Sequence, residues 1–405
     1  MKSLRQVVVM INLDYPAVHH HELVAGIQRY ARTCGHWECS MTPYAELLLQ
    51  NPTAKRPDGF VGRASPQLAK LARKAKVPVV NVWLGSPAKG LPTVVHDAAE
   101  SGRMAARHLI ARGFRTFGYL GGRQLATELQ CTGFREVLAA AGFICSECWM
   151  PLEYGVTGTL WRQFQAKLGR WIDGWSPPIG VFVARDLLCR YLAEACRQRQ
   201  LRIPDDVALI GSCNEVVVCS HADPSLSSID FGFEQVGHRA AALLDKLMDG
   251  DLPPPKPIRL PPTALVARRS SDSFAVNDPQ VASALRYMAE HAHDPSLKVD
   301  DVAEHVATTR RTLARLFQSS LGKTVHDAIA HMRLERVKRQ LVDPAATLNT
   351  VAKDCGFRDA VHLWRVFQRI EGMSPSDYRV ARVNGAAPVE LPNRAIAARS
   401  NRPRK

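Results

Sequence analysis

At 405 residues the chain exceeds what one hydrophobic core sustains, roughly 250–300 residues, so it is expected to fold as two or three domains. A composition with 46% hydrophobic and 22% charged residues argues against wholesale disorder, and no apolar run reaches the roughly 18–20 residues that cross a bilayer, so no membrane role is expected. A net charge of +15 calls for an anionic partner, and ten scattered cysteines read as reduced thiols of a cytoplasmic protein.

From residue 6 to about 266, short β-branched runs alternate with stretches of helical period. Strands are predicted at 7–13, 59–61, 77–83, 116–120, 179–183 and 207–210. Helices are predicted at 22–32, 66–74, 98–112, 130–141, 160–172, 186–198 and 234–248. This alternation is the pattern of parallel sheets with crossover helices, and its length predicts an α/β region of two doubly wound lobes. Six prolines within 252–262, followed by a polar stretch to 279, mark a boundary. Beyond it every apolar set follows the helical period, which predicts an all-α domain. The expected layout is 1–270 for the α/β domain, 271–279 for a linker, 280–383 for the helical domain and 384–405 for a basic, disordered tail.

The positive charge is concentrated. Residues 277–405 hold 21 Lys/Arg against 14 Asp/Glu, about half the net excess in a third of the chain. Within them, two helix pairs share one layout, a short helix, a tight turn and a longer helix with a basic polar face. In the first, Thr309 caps a helix that buries Leu313, Leu316 and Phe317, leaving Arg310, Arg311 and Arg315 outside. In the second, Gly356 supplies the turn, Leu363, Val366, Phe367 and Ile370 face inward, and Arg358, His362, Arg365 and Arg369 recur on the outer face. An exposed arginine can bridge guanine O6 and N7 or neutralise phosphate, so these residues are the candidate contacts to double-stranded DNA.

Residues 279–379 resemble the AraC-type DNA-binding domain, most specifically through Gly356-Phe357, Gly372-Met373-Ser374-Pro375 and Tyr378-Arg379. The resemblance implies two helix-turn-helix units joined by a long helix and reading two half-sites of an operator. By the same pattern, Arg311, Arg315 and Arg365 fall at or near base-reading positions. Ala314, Ala360 and Val361 fall where relatives often carry longer polar residues, so readout is expected to lean on the arginines and on apolar contact with thymine methyls.

Two α/β lobes facing each other bind small ligands between the carboxyl ends of their strands, and each sugar hydroxyl needs groups that donate and accept. Asp14, Asp186 and Asn214 with Glu215 follow predicted strands, Asp97 opens a helical stretch after "VVH", and all are candidates for that role. The segments "VVHDAAESG", "IPDDVALIGSCNE" and "DPSLSSIDFGFEQVGHRAAALLDKLMDG" resemble the LacI-type, periplasmic-binding-protein-like effector domain. Such a domain placed before an AraC-type domain is similar to the xylose operon regulator family of transcription activators. That resemblance implies a sugar ligand such as xylose. Cys213 stands where relatives usually carry aspartate, Gln130 and His21 where many carry a ligand-binding arginine, and Ala98 where asparagine is frequent. Another small polar ligand, or none, therefore stays open.

The run His19-His20-His21 and the pair Cys145-x-x-Cys148 have metal or redox flavour, but neither has a second set of ligands at a fitting spacing, so no metal is expected. No nucleotide-binding or catalytic motif appears, and neither a cofactor nor enzymatic activity is expected. The reading is a sequence-specific transcription regulator whose partners are a double-stranded DNA operator, a small polar effector, a second copy of itself and RNA polymerase. The alternative is a ligand-independent DNA-binding regulator whose N-terminal domain only dimerises.

Overall fold

The computed structural model describes residues 4–13, 18–51, 53, 55–151, 157–273, 275, 278–341 and 346–384. Asp14 and most of the expected tail, from residue 385, lie outside them. The chain packs as two compact units, Met1–Glu290 with Lys298–Val325, and His291–Leu297 with His326–Lys405.

The first unit contains two parallel sheets. One has the strand order Trp37–Met41, Arg5–Met10, Gly59–Gly62, Val79–Asn81. The other runs Ala264–Val266, Ser227–Asp230, Val207–Ser212, Ile179–Val183, Thr116–Gly122, Cys145–Met150, antiparallel only at Ala264–Val266. Central strands such as Ile179–Val183 are buried throughout, because helices cover both faces, and they read as continuous apolar runs. The edge strands Trp37–Met41 and Cys145–Met150 lack such runs. Cys145 and Cys148 belong to core clusters on opposite faces of their sheet, so the C-x-x-C spacing does not place both thiols at one site.

The chain crosses between lobes after Val94–His96, around Phe231–Phe233, and between Ile258–Leu260 and Ala264–Val266. The proline-rich 252–262 stretch therefore lies within the α/β region. Ile258–Leu260 pairs in parallel with Val94–His96, and the prolines flank the third crossing.

Each lobe is pinned by a close helix pair. Val18–Cys34 packs on Phe233–Met248, and Ala98–Ala111 packs on Leu125–Ala140. A Cβ placed on Gly26 would lie 1.9 Å from the Glu234 carbonyl oxygen, and one on Gly133 would lie 1.9 Å from that of Ala99, so these backbones touch only because both residues are glycine. Asp245 adds a polar anchor in the first lobe. Its buried carboxylate accepts from Tyr30 Oη at 3.0 Å, His36 Nε2 at 2.9 Å, Trp37 Nε1 at 3.0 Å and Arg5 Nη1 at 3.1 Å. Burial works to raise its pKa, but the Trp37, His36 and Tyr30 donors outweigh it and hold the carboxyl below its ordinary value.

In the helical region, Val299–His305 and Arg310–Leu321 form the first pair, in the first unit. In the second unit, Arg333 on the long helix Val325–Gln340 donates to the Ala292 and Asp294 carbonyls at 2.9 and 2.8 Å, and Leu348–Asp354 and Ala360–Glu371 form the second pair. Lys338 bridges Glu335 at 2.5 Å and Glu371 at 3.1 Å, tying the long helix to Ala360–Glu371.

Gly133→Ala should force two helix backbones apart and cost about 1–3 kcal/mol or more. Thermal unfolding of the variant should show a clearly lowered midpoint, and an unchanged one would contradict the close packing described here.

Candidate ligand cleft and nucleic-acid interface

Arginines stand at the carboxyl ends of three strands, Arg63 after Gly59–Gly62, Arg123 after Thr116–Gly122 and Arg185 after Ile179–Val183. Arg63 lies 4.4 Å over the Trp83 ring, and its Nη1 is 3.0 Å from His20 Nε2. His20 Nδ1 faces the Asn12 carbonyl at 2.7 Å, which requires the proton on Nδ1 and leaves Nε2 to accept from Arg63. Arg123 covers Trp149 in the same way at 4.3 Å. At the crossings, His96 packs 4.5 Å from Phe231 and 5.1 Å from Phe233, and His19 packs 5.0 Å from Phe233. Burial, then the neighbouring His20, His96, Arg185 and Arg63, push His19 down to about 3; burial, then Arg259, pushes His96 down to about 4. Both imidazoles are neutral near pH 7, each with one donor and one acceptor. Neutral ring nitrogens beside aromatic faces suit a small polyhydroxyl molecule.

The two arginine-bearing helices have matching frames. Thr309 Oγ1 accepts from the Thr312 amide at 3.2 Å, and Asp359 Oδ1 accepts from the His362 amide at 2.7 Å, so both helices are side-chain capped. Positive-φ glycines, Gly322 and Gly372, end them, and the tight turns before them use Ala307 at φ 51° and Gly356 at φ 79°. Leu313 with Phe317, and Leu363 with Phe367, are fully buried. With those pairs inward, Arg311, Arg315, Arg365 and Arg369 are exposed, and none has an ion-pair partner among the described residues. Arg310 lies 3.6 Å from Asp300 in the preceding helix, and Arg358, just before the second helix, lies 2.9 Å from Asp359.

Residues 18–154 match the family described as periplasmic binding proteins and sugar binding domain of LacI family, residues 106–271 match a periplasmic binding protein-like domain, and residues 302–381 match a helix-turn-helix domain. The Haemophilus influenzae xylose operon regulatory protein is 29% identical over 378 residues, covering 90% of this chain and 95% of its own. Its Escherichia coli counterpart is 28% identical over 323 residues, covering 77% and 81%. The solved structure of the xylose-binding transcription activator XylR superposes with a TM-score of 0.56 at 22% identity, over 94% of this chain and 99% of that one. This chain is a DNA-binding transcription regulator. It joins a periplasmic-binding-protein-like domain to a C-terminal helix-turn-helix domain.

In the regulator's cleft, most of the residues expected to touch ligand have other work. Asp186 is buried, with Oδ1 accepting from Ser228 Oγ at 2.6 Å and Oδ2 from the Glu215 amide at 2.8 Å. Asn214 accepts from Arg268 at 2.8 Å and donates to Asp230 at 3.1 Å. Gln130 is buried between Tyr119 and Ser212. Asp97 caps Ala98–Ala111 through the Glu100 amide at 3.0 Å. His21 points to solvent, while His20 is buried and His19 meets Phe233, because successive helical residues turn by about 100°. Cys213, at φ 97°, packs against the first lobe's core and stays at the interface between lobes. His362 likewise is no outer-face residue; its ring packs edge-on to Phe357 at 5.5 Å and is half-buried.

Arg63, Arg123 and Arg185, with their aromatic neighbours, occupy strand ends just as the candidate carboxylates do, but hydroxyl recognition alone points to carboxylates and amides rather than to arginines.

Burial raises the Asp186 pKa to about 6, against the opposing pull of the Ser228 and Glu215 donors. A carboxyl so raised contributes stability below its unfolded pKa, and that contribution is lost as pH climbs through about 6. The regulator should lose on the order of 3 kcal/mol from this group between pH 4 and 7. Asp186→Asn should remove that part of the slope in denaturant unfolding followed against pH, and an unchanged slope would contradict the assignment.

Proposed function

We propose that the regulator binds operator DNA through the helices Arg310–Leu321 and Ala360–Glu371, and that a small polar ligand held between the lobes alters that binding. The carrying observation is the pair of capped helices with Leu-Phe inward and arginines outward. Thr309, Arg310, Arg311, Arg315, Arg365 and Arg369 are assigned to DNA, with Arg358 beside them; His362 is assigned to positioning the second helix. The ligand's surroundings are assigned to His19, His96, Arg185 and Cys213, with Asp14 retained from the sequence. Relatives named for the xylose operon make a pentose the first ligand to test, in a cytoplasmic protein with no catalytic role. The domain boundaries 1–270 and 280–383, self-association and contact with RNA polymerase belong to the same reading.

Ligand can shift DNA affinity only by binding two conformers unequally, and the three crossings are where the lobes can pivot. A second reading also has support. Asp186, Asn214 and Gln130 are each hydrogen-bonded within the protein, to Ser228, Arg268 and Ser212, as expected of a domain that only dimerises. A thermal-shift panel of pentoses, hexoses and sugar acids separates the two. Saturation at about 100 times Kd should stabilise the protein by roughly 2.7 kcal/mol, whereas a flat response favours the ligand-free reading.

Arg311→Ala and Arg365→Ala should each cost about 1–3 kcal/mol on the preferred duplex and little on random DNA. Equal losses on both would make them phosphate contacts, and no salt-sensitive binding to any duplex would end the proposal.

A further inference from the structure

The two DNA-facing helices have identical patterns of burial over residues 311–320 and 361–370, position for position at an offset of 50. The exposed set is Arg311, Ala314, Arg315, Gln318 and Ser319 in the first, and Val361, Trp364, Arg365, Gln368 and Arg369 in the second. Only Arg315 with Arg365, and Gln318 with Gln368, agree in kind. Where the first helix carries Arg311 and Ala314, the second carries Val361, 59% exposed, and Trp364, 43% exposed. These two positions share the N-terminal part of the helix with Arg365, and residues near the N-terminus of a recognition helix reach base edges. A valine offers a base edge no hydrogen bond; in the major groove its apolar complement is the C5-methyl of thymine.

Resting on the DNA-binding reading of these helices, we propose that the two half-sites differ in chemistry. Arg311 and Arg315 read guanine in one, while Val361 and Trp364 read thymine methyls beside a guanine taken by Arg365 in the other. The flanking Arg365 and Arg369 supply the charge that brings this apolar pair against an anionic duplex rather than against a protein surface.

The test selects the preferred duplex of the full-length protein from a random pool, then replaces each thymine with deoxyuridine and each guanine with 7-deazaguanine, one position at a time. Deoxyuridine should weaken binding about fourfold per contacted methyl, the worth of one buried methyl-sized group, and only within one half of the site. 7-Deazaguanine should weaken binding in both halves. Val361→Ala, at an exposed position that leaves the core intact, and the double variant with Trp364→Ala should lose the deoxyuridine effect while keeping the 7-deazaguanine effect. Deoxyuridine without effect anywhere, or with the same effect in the variants, overturns the inference while leaving DNA binding in place. A protein that enriches no duplex and shows no salt-sensitive binding removes the DNA-binding reading itself, and this inference with it.

Discussion

A leucine and a phenylalanine four residues apart decide how this protein faces its partner. In Arg310–Leu321 and again in Ala360–Glu371, sinking Leu313 with Phe317 and Leu363 with Phe367 sets the rotation of the helix about its own axis. Burying each such side chain stabilises by roughly 1.5–3 kcal/mol, far more than any solvated arginine contributes, so the apolar pair settles the orientation and the arginines follow. The caps at Thr309 and Asp359 and the glycine ends at 322 and 372 then fix where each helix starts and stops. The outward face is thereby free to vary without cost to the fold, which is how two units with one burial pattern come to present different side chains.

The α/β region solves a different problem with the same economy of means. Its lobes are held individually by glycine-mediated helix contact and, in the first lobe, by the Asp245 anchor, while among the described residues three chain segments join them. Polar groups near the join are turned inward. Asp186 is spent on Ser228 and the Glu215 amide, and Asn214 on Arg268 and Asp230, so these residues build the loop that follows Val207–Ser212. Near the crossings the rings of His19 and His96 pack on Phe231 and Phe233, and both imidazoles are kept neutral by burial.

Legibility in the sequence followed burial. Strands covered on both faces, such as Gly59–Gly62 and Ile179–Val183, announce themselves as apolar runs, whereas Trp37–Met41 and Cys145–Met150, paired on one side only, do not. Prolines hid Ile258–Leu260 because an edge position lets a strand tolerate prolines beside it. The helical region was legible down to its caps, since its period and its cap residues are local signals. The cleft was not. A strand-end rule finds positions near the join, yet whether a carboxylate there is open to a ligand or bonded to a neighbouring serine depends on residues some 30 to 40 positions away, as Asp186 with Glu215 and Ser228 shows.

That contrast bears on how the two regions can communicate. Asp186 and Asn214, near the join, are coupled over long sequence separations through shared hydrogen bonds, so a disturbance at one of them would reach several strands of the second lobe together. The exposed arginines of the two capped helices are nearly independent of one another, each set by its own helix. On the proposed reading, a ligand would act on where the helices are carried rather than on what either of them reads. The sequence preference of each helix should then be the same with the cleft filled or vacant.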